Sequence, residues 1–92
     1  MTSNSNDSVI FVGDKQPMSY VLAVITQFQK GAKEVFVKAR GRLTSRAIDV
    51  VEIVKNKFIK DVKIGEVKIS TEQMKGEKGD VNVSVISISL TK

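Results

Sequence analysis

The sequence predicts an α/β two-layer sandwich of the order β-α-β-α-β-β, in which two helices cover one four-stranded mixed sheet and a β-hairpin protrudes. Two short apolar runs flank a segment whose apolar residues recur at helical spacing, and this alternation indicates a β-α-β unit. Near the C-terminus, two long strand-like segments follow each other across a turn rich in glycine and charge, which is typical of a hairpin. At 92 residues, the chain is long enough for one small domain.

The polar N-terminus precedes the first predicted strand. Residues 1–8 are rich in serine and asparagine, so we expect a disordered tail there and a folded domain over residues 9–92. Residues 9–12 form a continuous apolar run, as expected of a buried strand. Pro17 fits the first turn of the helix that follows, and Gly31 ends that helix.

The second strand and the second helix come next. Residues 34–40 make the strand, which should lie parallel to the first because a right-handed helical crossover joins them. The helix is expected over residues 44–59, and one apolar stripe along it predicts the face that covers the sheet. The stripe comprises Leu43, Ala47, Val50, Val51, Val54 and Phe58. The periodicity favours a core position for Phe58, whereas Ile48 and Ile59 lie outside the stripe and could face another subunit.

The hairpin is predicted from residues 64–74 and 81–90, with residues 75–80 as its turn. In both strands the apolar alternation changes parity partway along, as it does between Val85 and Ile86. A β-bulge or a strong twist would produce that change. So would a hairpin whose base packs on the body of the domain while its tip reaches outward.

The composition favours an anionic partner and gives little support to catalysis. The net charge is +5, and the chain contains neither cysteine nor histidine. Because the commonest metal ligand and general base is missing, we expect no metal site, no cofactor and no enzymatic activity. Asp49 and Glu52 could share one helix face, but metal-dependent cleavage of a phosphodiester needs further converging carboxylates. No apolar run approaches the ~20 residues that cross a bilayer, so we expect a cytoplasmic protein without a membrane partner.

All three arginines of the chain fall within residues 38–46, between the second strand and the second helix. Gly41 lets the backbone turn tightly between Arg40 and Arg42. Arginine side chains beside a helix N-terminus make a site for phosphate groups. Lys15 follows the first strand and should lie at the same edge of the sheet, because neighbouring parallel strands end on the same side.

Two features of this arginine-rich segment leave alternatives open. Either Thr44 or Ser45 can cap the N-terminus of the second helix with its hydroxyl group. Arg46 lies one turn into the helix, where its side chain could contact a phosphate group or instead pair with Asp49 or Glu52.

Four segments together resemble the Alba family of small basic chromatin proteins of archaea. They are residues 12–15 (VGDK), 18–23 (MSYVLA), 38–42 (KARGR) and 47–58 (AIDVVEIVKNKF), in the order and spacing of the family. The resemblance implies the same fold and a homodimer. It also implies binding of double-stranded DNA without sequence specificity, compaction of that DNA on the chromosome, and binding of RNA.

The resemblance further implies which residues meet the nucleic acid. In the family, the loops after the first two strands contact the phosphate backbone, which assigns this role to Lys15, Arg40 and Arg42. The two hairpins of the dimer reach along the minor groove, which places contacts near Lys75 and Lys78.

Two further roles follow from the resemblance. An aromatic residue at the position of Phe58 helps neighbouring dimers to contact one another along DNA. Family members often carry two adjacent lysines in the first loop, where acetylation is proposed to weaken DNA binding. Here Asp14 replaces the first of them, and Lys15 is the remaining candidate for acetylation.

The alternative function is binding of structured RNA, or activity as an RNA chaperone. The strands carry no aromatic pair of the RNA-recognition-motif type, so we expect no recognition of single strands by base stacking. Tyr20, which lies off the main stripe of the first helix, could stack on a base or form a hydrogen bond at a dimer surface.

Overall fold

The computed structural model describes residues 7–92, so most of the expected polar tail lies outside the described residues. The first strand, β1 (Asp7–Phe11), begins two residues earlier than predicted, which places Asp7 and Ser8 in the sheet. Helix α1 (Pro17–Gln29) starts at the predicted proline. The chain leaves it through Gly31, whose φ of +102° lies in the region that favours glycine.

The remaining elements follow the predicted order. Strand β2 (Glu34–Arg40) matches its prediction residue for residue. A 3₁₀ turn at Gly41–Leu43 leads into helix α2 (Thr44–Ile53), which continues as one π-helical turn over Val54–Phe58. The hairpin consists of β3 (Lys63–Gly76) and β4 (Gly79–Thr91).

The four strands form one mixed sheet in the order β1-β2-β4-β3, and both helices lie on one side of it. Strands β1 and β2 are parallel, and β4 is antiparallel to β2 and to β3. The predicted fold class is therefore confirmed. Alternate residues of each central strand face the helices and are buried, among them Val35 and Val37 in β2 and Ile86 and Ile88 in β4. The other side of the sheet, called here the helix-free face, carries no helix within residues 7–92.

The π-helical turn changes where Phe58 points. The amide N–H of Ile59 donates to the carbonyl of Val54, five residues back, over 2.7 Å. This wider turn interrupts the 3.6-residue period that the sequence pattern assumed. Val54 is fully buried, but Phe58 is 49% exposed, so the core position that the periodicity favoured for Phe58 is wrong.

The hairpin extends well beyond the body of the domain. Between Ile64 and Val67, β3 advances one residue more than β4, and this β-bulge accounts for the change of parity in β3. Strand β4 has its base buried and its tip exposed, which accounts for the change there. The radius of gyration is 14.0 Å, against about 12 Å for a compact domain of this size. The turn itself is shorter than predicted, because the strands pair up to Gly76 and Gly79.

Candidate nucleic-acid interface

The loops that follow β1 and β2 meet at one edge of the sheet, as the parallel pairing requires. Nη2 of Arg42 lies 3.1 Å from Oδ1 of Asp14. Nη1 of Arg46 donates to the backbone carbonyls of Lys15, over 2.8 Å, and of Asp14, over 3.3 Å. Arg46 therefore joins the first loop to helix α2 and forms no ion pair with Asp49 or Glu52. The contact of Arg46 with a phosphate group stays a prediction.

Tyr20 stabilises the first loop through a hydrogen bond. Its hydroxyl oxygen accepts a hydrogen bond of 3.1 Å from the backbone N–H of Lys15. The ring packs against the hydrophobic core, which fixes the position of that oxygen. A Cβ atom at Gly13 would lie 3.0 Å from the same hydroxyl group, so glycine at this position leaves the space that the tyrosine hydroxyl occupies. The hydrogen bond of Tyr20 thus lies within the subunit and positions Lys15.

The second loop turns at Gly41, whose φ of +55° requires the conformational freedom that the sequence analysis assigned to it. The predicted helix cap is wrong. Thr44 is the first residue of α2, and its hydroxyl group donates to the carbonyl of Gly41 over 3.0 Å instead of accepting from a backbone N–H. The 3₁₀ turn replaces the cap, and the first N–H groups of such a turn have no acceptor within it.

Arg40 and Arg42 point to different surfaces although they are two residues apart. Arg42 extends from the loop, whereas Nε of Arg40 lies 3.3 Å from Oε1 of Glu72 on strand β3. The side chains of both ion pairs are at least 47% exposed. Such exposed pairs contribute about 0–1 kcal/mol, so phosphate groups can displace the carboxylates at little cost.

The hairpin projects from the same edge that carries the two loops. Arg40, at the end of β2, is paired with Val85 of the antiparallel strand β4. The part of β4 from Gly79 to Val85 therefore continues past this edge, by roughly 20 Å at 3.4 Å per residue. Lys75 and Lys78 lie at the exposed tip, where Lys75 pairs in register with Asp80. These two lysines therefore lie apart from the two loops, residues 12–16 and 41–43, which are called here the loop cluster. The lysines and the loop cluster nevertheless lie on the same side of the domain.

Several supporting residues escaped the sequence analysis. Asp14 and Glu72 are the partners of Arg42 and Arg40, and no local pattern predicts a contact between distant segments. Phe11 and Phe36 lie on neighbouring strands at the helix-free face, a pairing across strands that the sequence analysis did not foresee. The alternation of β2 was the available signal, because its buried valines leave Phe36, Lys38 and Arg40 for the opposite face.

The described part of the chain contains no grouping of three or more histidine, cysteine or acidic side chains that could hold a metal ion. Neither of its helices has the length and apolar character needed to cross a membrane.

These features define a class of protein, a small basic α/β domain in which two parallel strands end at an arginine-rich edge beside a projecting hairpin. Comparison with known families narrows the class further. The Alba family model matches residues 8–71, and the chain belongs to the Alba family. The predicted resemblance is therefore confirmed.

Relatives of known name resemble the chain over nearly its full length. DNA/RNA-binding protein Alba 1 of Archaeoglobus fulgidus is 56% identical over 86 residues, which cover 94% of this chain and 97% of the relative. DNA/RNA-binding protein Alba of Thermoplasma acidophilum is 49% identical over 88 residues, which cover 96% and 99%.

Solved structures share the fold. Alba from Thermoplasma volcanium matches with a TM-score of 0.88 and 50% sequence identity, over 91% of this chain and 99% of that one. The ALBA1 crystal structure from Trypanosoma brucei matches with a TM-score of 0.77 and 26% identity, over 91% of this chain and 68% of that one.

Proposed function

We propose that this protein binds double-stranded DNA without sequence specificity and compacts it as an architectural protein of the chromosome. The observation that carries the proposal is the meeting of the two basic loops at the edge from which the hairpin projects. The names of the relatives, DNA/RNA-binding protein Alba, support nucleic acid as the partner. The net charge of +5 favours a polyanion.

The loop cluster binds the sugar-phosphate backbone. Lys15 and Arg42 provide exposed cations, and the 3₁₀ turn that begins at Gly41 leaves its first backbone N–H groups without acceptors inside the turn. Contacts of this kind fix the protein on the duplex but carry no information about base sequence. Arg40, at the end of β2, adds a cation beside the point where the hairpin leaves the edge of the sheet. Lys75 and Lys78 extend the contact along the groove. Their acidic neighbours keep the hairpin tip close to neutral, so the arm follows groove shape rather than attracting DNA strongly.

A homodimer completes this arrangement by supplying a second pair of loops and a second arm. Ile64, Val67 and Ile69 are paired with buried residues of β4, and they therefore lie on the helix side of the sheet. They are nevertheless exposed, Ile69 to 77%, because β3 extends beyond the helices. Ile48 of α2 is exposed as well. A second copy of the chain covering these residues would remove a large apolar surface from water.

Phe58 contributes to compaction by joining one dimer to the next along the DNA. Its half-exposed ring at the end of the π-helical turn is available for such a contact. Acetylation of Lys15 would weaken DNA binding, because it removes the charge from an exposed side chain whose backbone N–H donates to Tyr20 at the proposed DNA-binding edge. The same backbone contacts also allow binding of structured RNA, and the names of the relatives favour RNA as a second partner.

A salt titration with duplex DNA tests the proposal. We expect Arg42→Ala to weaken binding to all sequences similarly and to lower the slope of log affinity against log salt by about 1. Lys30→Ala is the matched control, because it removes one exposed positive charge at the C-terminal end of α1, opposite the loop edge. Equal effects of the two substitutions would show that only net charge matters. A change of base preference with an unchanged slope would refute the phosphate contact.

A further inference from the structure

The helix-free face of the sheet carries an aromatic pair, the exposed Phe11 and the half-buried Phe36. Phe11 of β1 is 64% exposed, and Val9 beside it is 44% exposed. In the parallel register, Val9 is opposite Phe36 and Phe11 is opposite Lys38, so the two rings lie diagonally across neighbouring strands. Strand geometry sets the Cα atoms of Phe11 and Phe36 roughly 8 Å apart. An exposed apolar cluster of this kind calls for a partner, because single exposed apolar residues are common but contiguous ones are not.

Cationic side chains surround the aromatic pair. A groove of about 820 Å³ runs over this face, and its wall includes Lys38, Arg40 and Lys68 but only one carboxylate, that of Glu72. Arg40 and Lys68 each have an exposed acidic partner, at 3.3 Å and 3.7 Å respectively. Exposed pairs of this strength exchange readily for another anion. Flat apolar rings beside exchangeable cations fit a ligand that combines planar apolar groups with negative charge.

We propose that the helix-free face binds a single-stranded segment of nucleic acid, whose bases stack on Phe11 and Phe36 while its phosphate groups contact Lys38 and Lys68. A sheet surface that offers rings on adjacent strands and cations between them is a general solution for unpaired bases. Paired bases of a duplex are already stacked and cannot reach these rings. A second copy of the chain fits less well, because it would bring the lysines of two such faces together.

Binding at this face does not depend on duplex binding at the loop cluster, because the two use different side chains apart from Arg40. A fluorescent single strand of uridines, about 12 nucleotides long to match the usual site size, is the probe. A duplex of the same length is measured in parallel. We expect Phe11→Leu and Phe36→Leu each to weaken single-strand binding at least about fivefold, the lower end of the effect of losing one stacked base.

Two controls make the result specific to the rings. Phe11→Tyr keeps an aromatic ring and should bind the single strand within about twofold of the original protein. Leu22→Ala removes an exposed apolar side chain of α1, on the other side of the sheet, and should have no effect. Lys68→Gln changes an exposed side chain without touching the core, and it should lower the slope of log affinity against log salt for single-strand binding by about 0.7.

Each outcome decides the matter. Loss of single-strand binding in the leucine variants, with duplex affinity unchanged, supports the inference. This result would support the inference even if the original protein did not bind duplex DNA. A failure to bind duplex DNA would refute the proposed function and not this inference. The inference would be overturned if the original protein did not bind the single strand, or if the leucine variants bound it with the same affinity as the original protein. A smaller molecular mass of the leucine variants in solution, with single-strand affinity retained, would overturn it in favour of a contact between copies of the chain.

Discussion

Replacing Arg46 with methionine separates a supporting role from direct contact with DNA. The guanidinium group of Arg46 donates two hydrogen bonds to carbonyls of the first loop, and the residue is half-buried. Methionine keeps most of the apolar stem but no donor. Two partly exposed hydrogen bonds together contribute about 1 kcal/mol. For a domain of this size, that loss lowers the Tm by about 4–8 °C.

Arg42→Met is the matched comparison. The ion pair of Arg42 with Asp14 is almost fully exposed, so its loss should leave the Tm nearly unchanged. It should lower the slope of log affinity against log salt by about 1, because the proposed contact of Arg42 with phosphate is lost. Thermal unfolding of both variants and their titration with duplex DNA across salt provide the two measurements.

Hydrogen exchange adds a local probe of the same loop. The amide of Lys15 donates to Tyr20 and depends on the loop position that Arg46 maintains. Its exchange should become faster in Arg46→Met and stay unchanged in Arg42→Met. The supporting role would be refuted by an Arg46→Met protein with the original Tm and the original exchange rate, but with a salt slope reduced as in Arg42→Met.

Three further predictions concern other parts of the interface. Phe58→Ala should lower the free energy of unfolding by only about 1 kcal/mol, since the ring is half-exposed, and it should abolish cooperative coating of long DNA. Strong destabilisation with cooperative coating retained would mean that Phe58 belongs to the core. Deleting residues 75–80 and closing the strands with a tight turn should preserve folding, because all of these residues are exposed. The deletion should weaken duplex binding more than single-strand binding. Equal losses would contradict a contact of the hairpin with the groove. Lys15→Gln, which mimics acetylation, should reduce duplex affinity without changing thermal unfolding, and an unchanged affinity at low and moderate salt would mean that Asp14 has shifted the contact elsewhere.

Much of the fold follows from local patterns in the sequence. Strand β2 and the start of α1 appear where the patterns predict them, because alternation and helical spacing report which side of each element is buried. The bulge in β3 was one of the explanations that the sequence offered for the change of parity, and the register shift between Ile64 and Val67 shows that it applies to this strand. Gly41 was identified as the turning point between two arginines for the same kind of local reason, its freedom at positive φ.

The sequence by itself therefore determined the order of the elements, the valine-rich core and the concentration of arginine at one edge of the sheet. Only the tertiary structure decided how those parts work together. In the structure, Arg46 donates to the first loop, Arg40 forms an ion pair with Glu72, and Phe11 and Phe36 lie on neighbouring strands. The tertiary structure also turned Phe58 outward through one π-helical turn. The physical reason is that periodicity records the environment of each residue along its own element, whereas these contacts join residues that are distant in the chain and meet only through sheet register and helix packing.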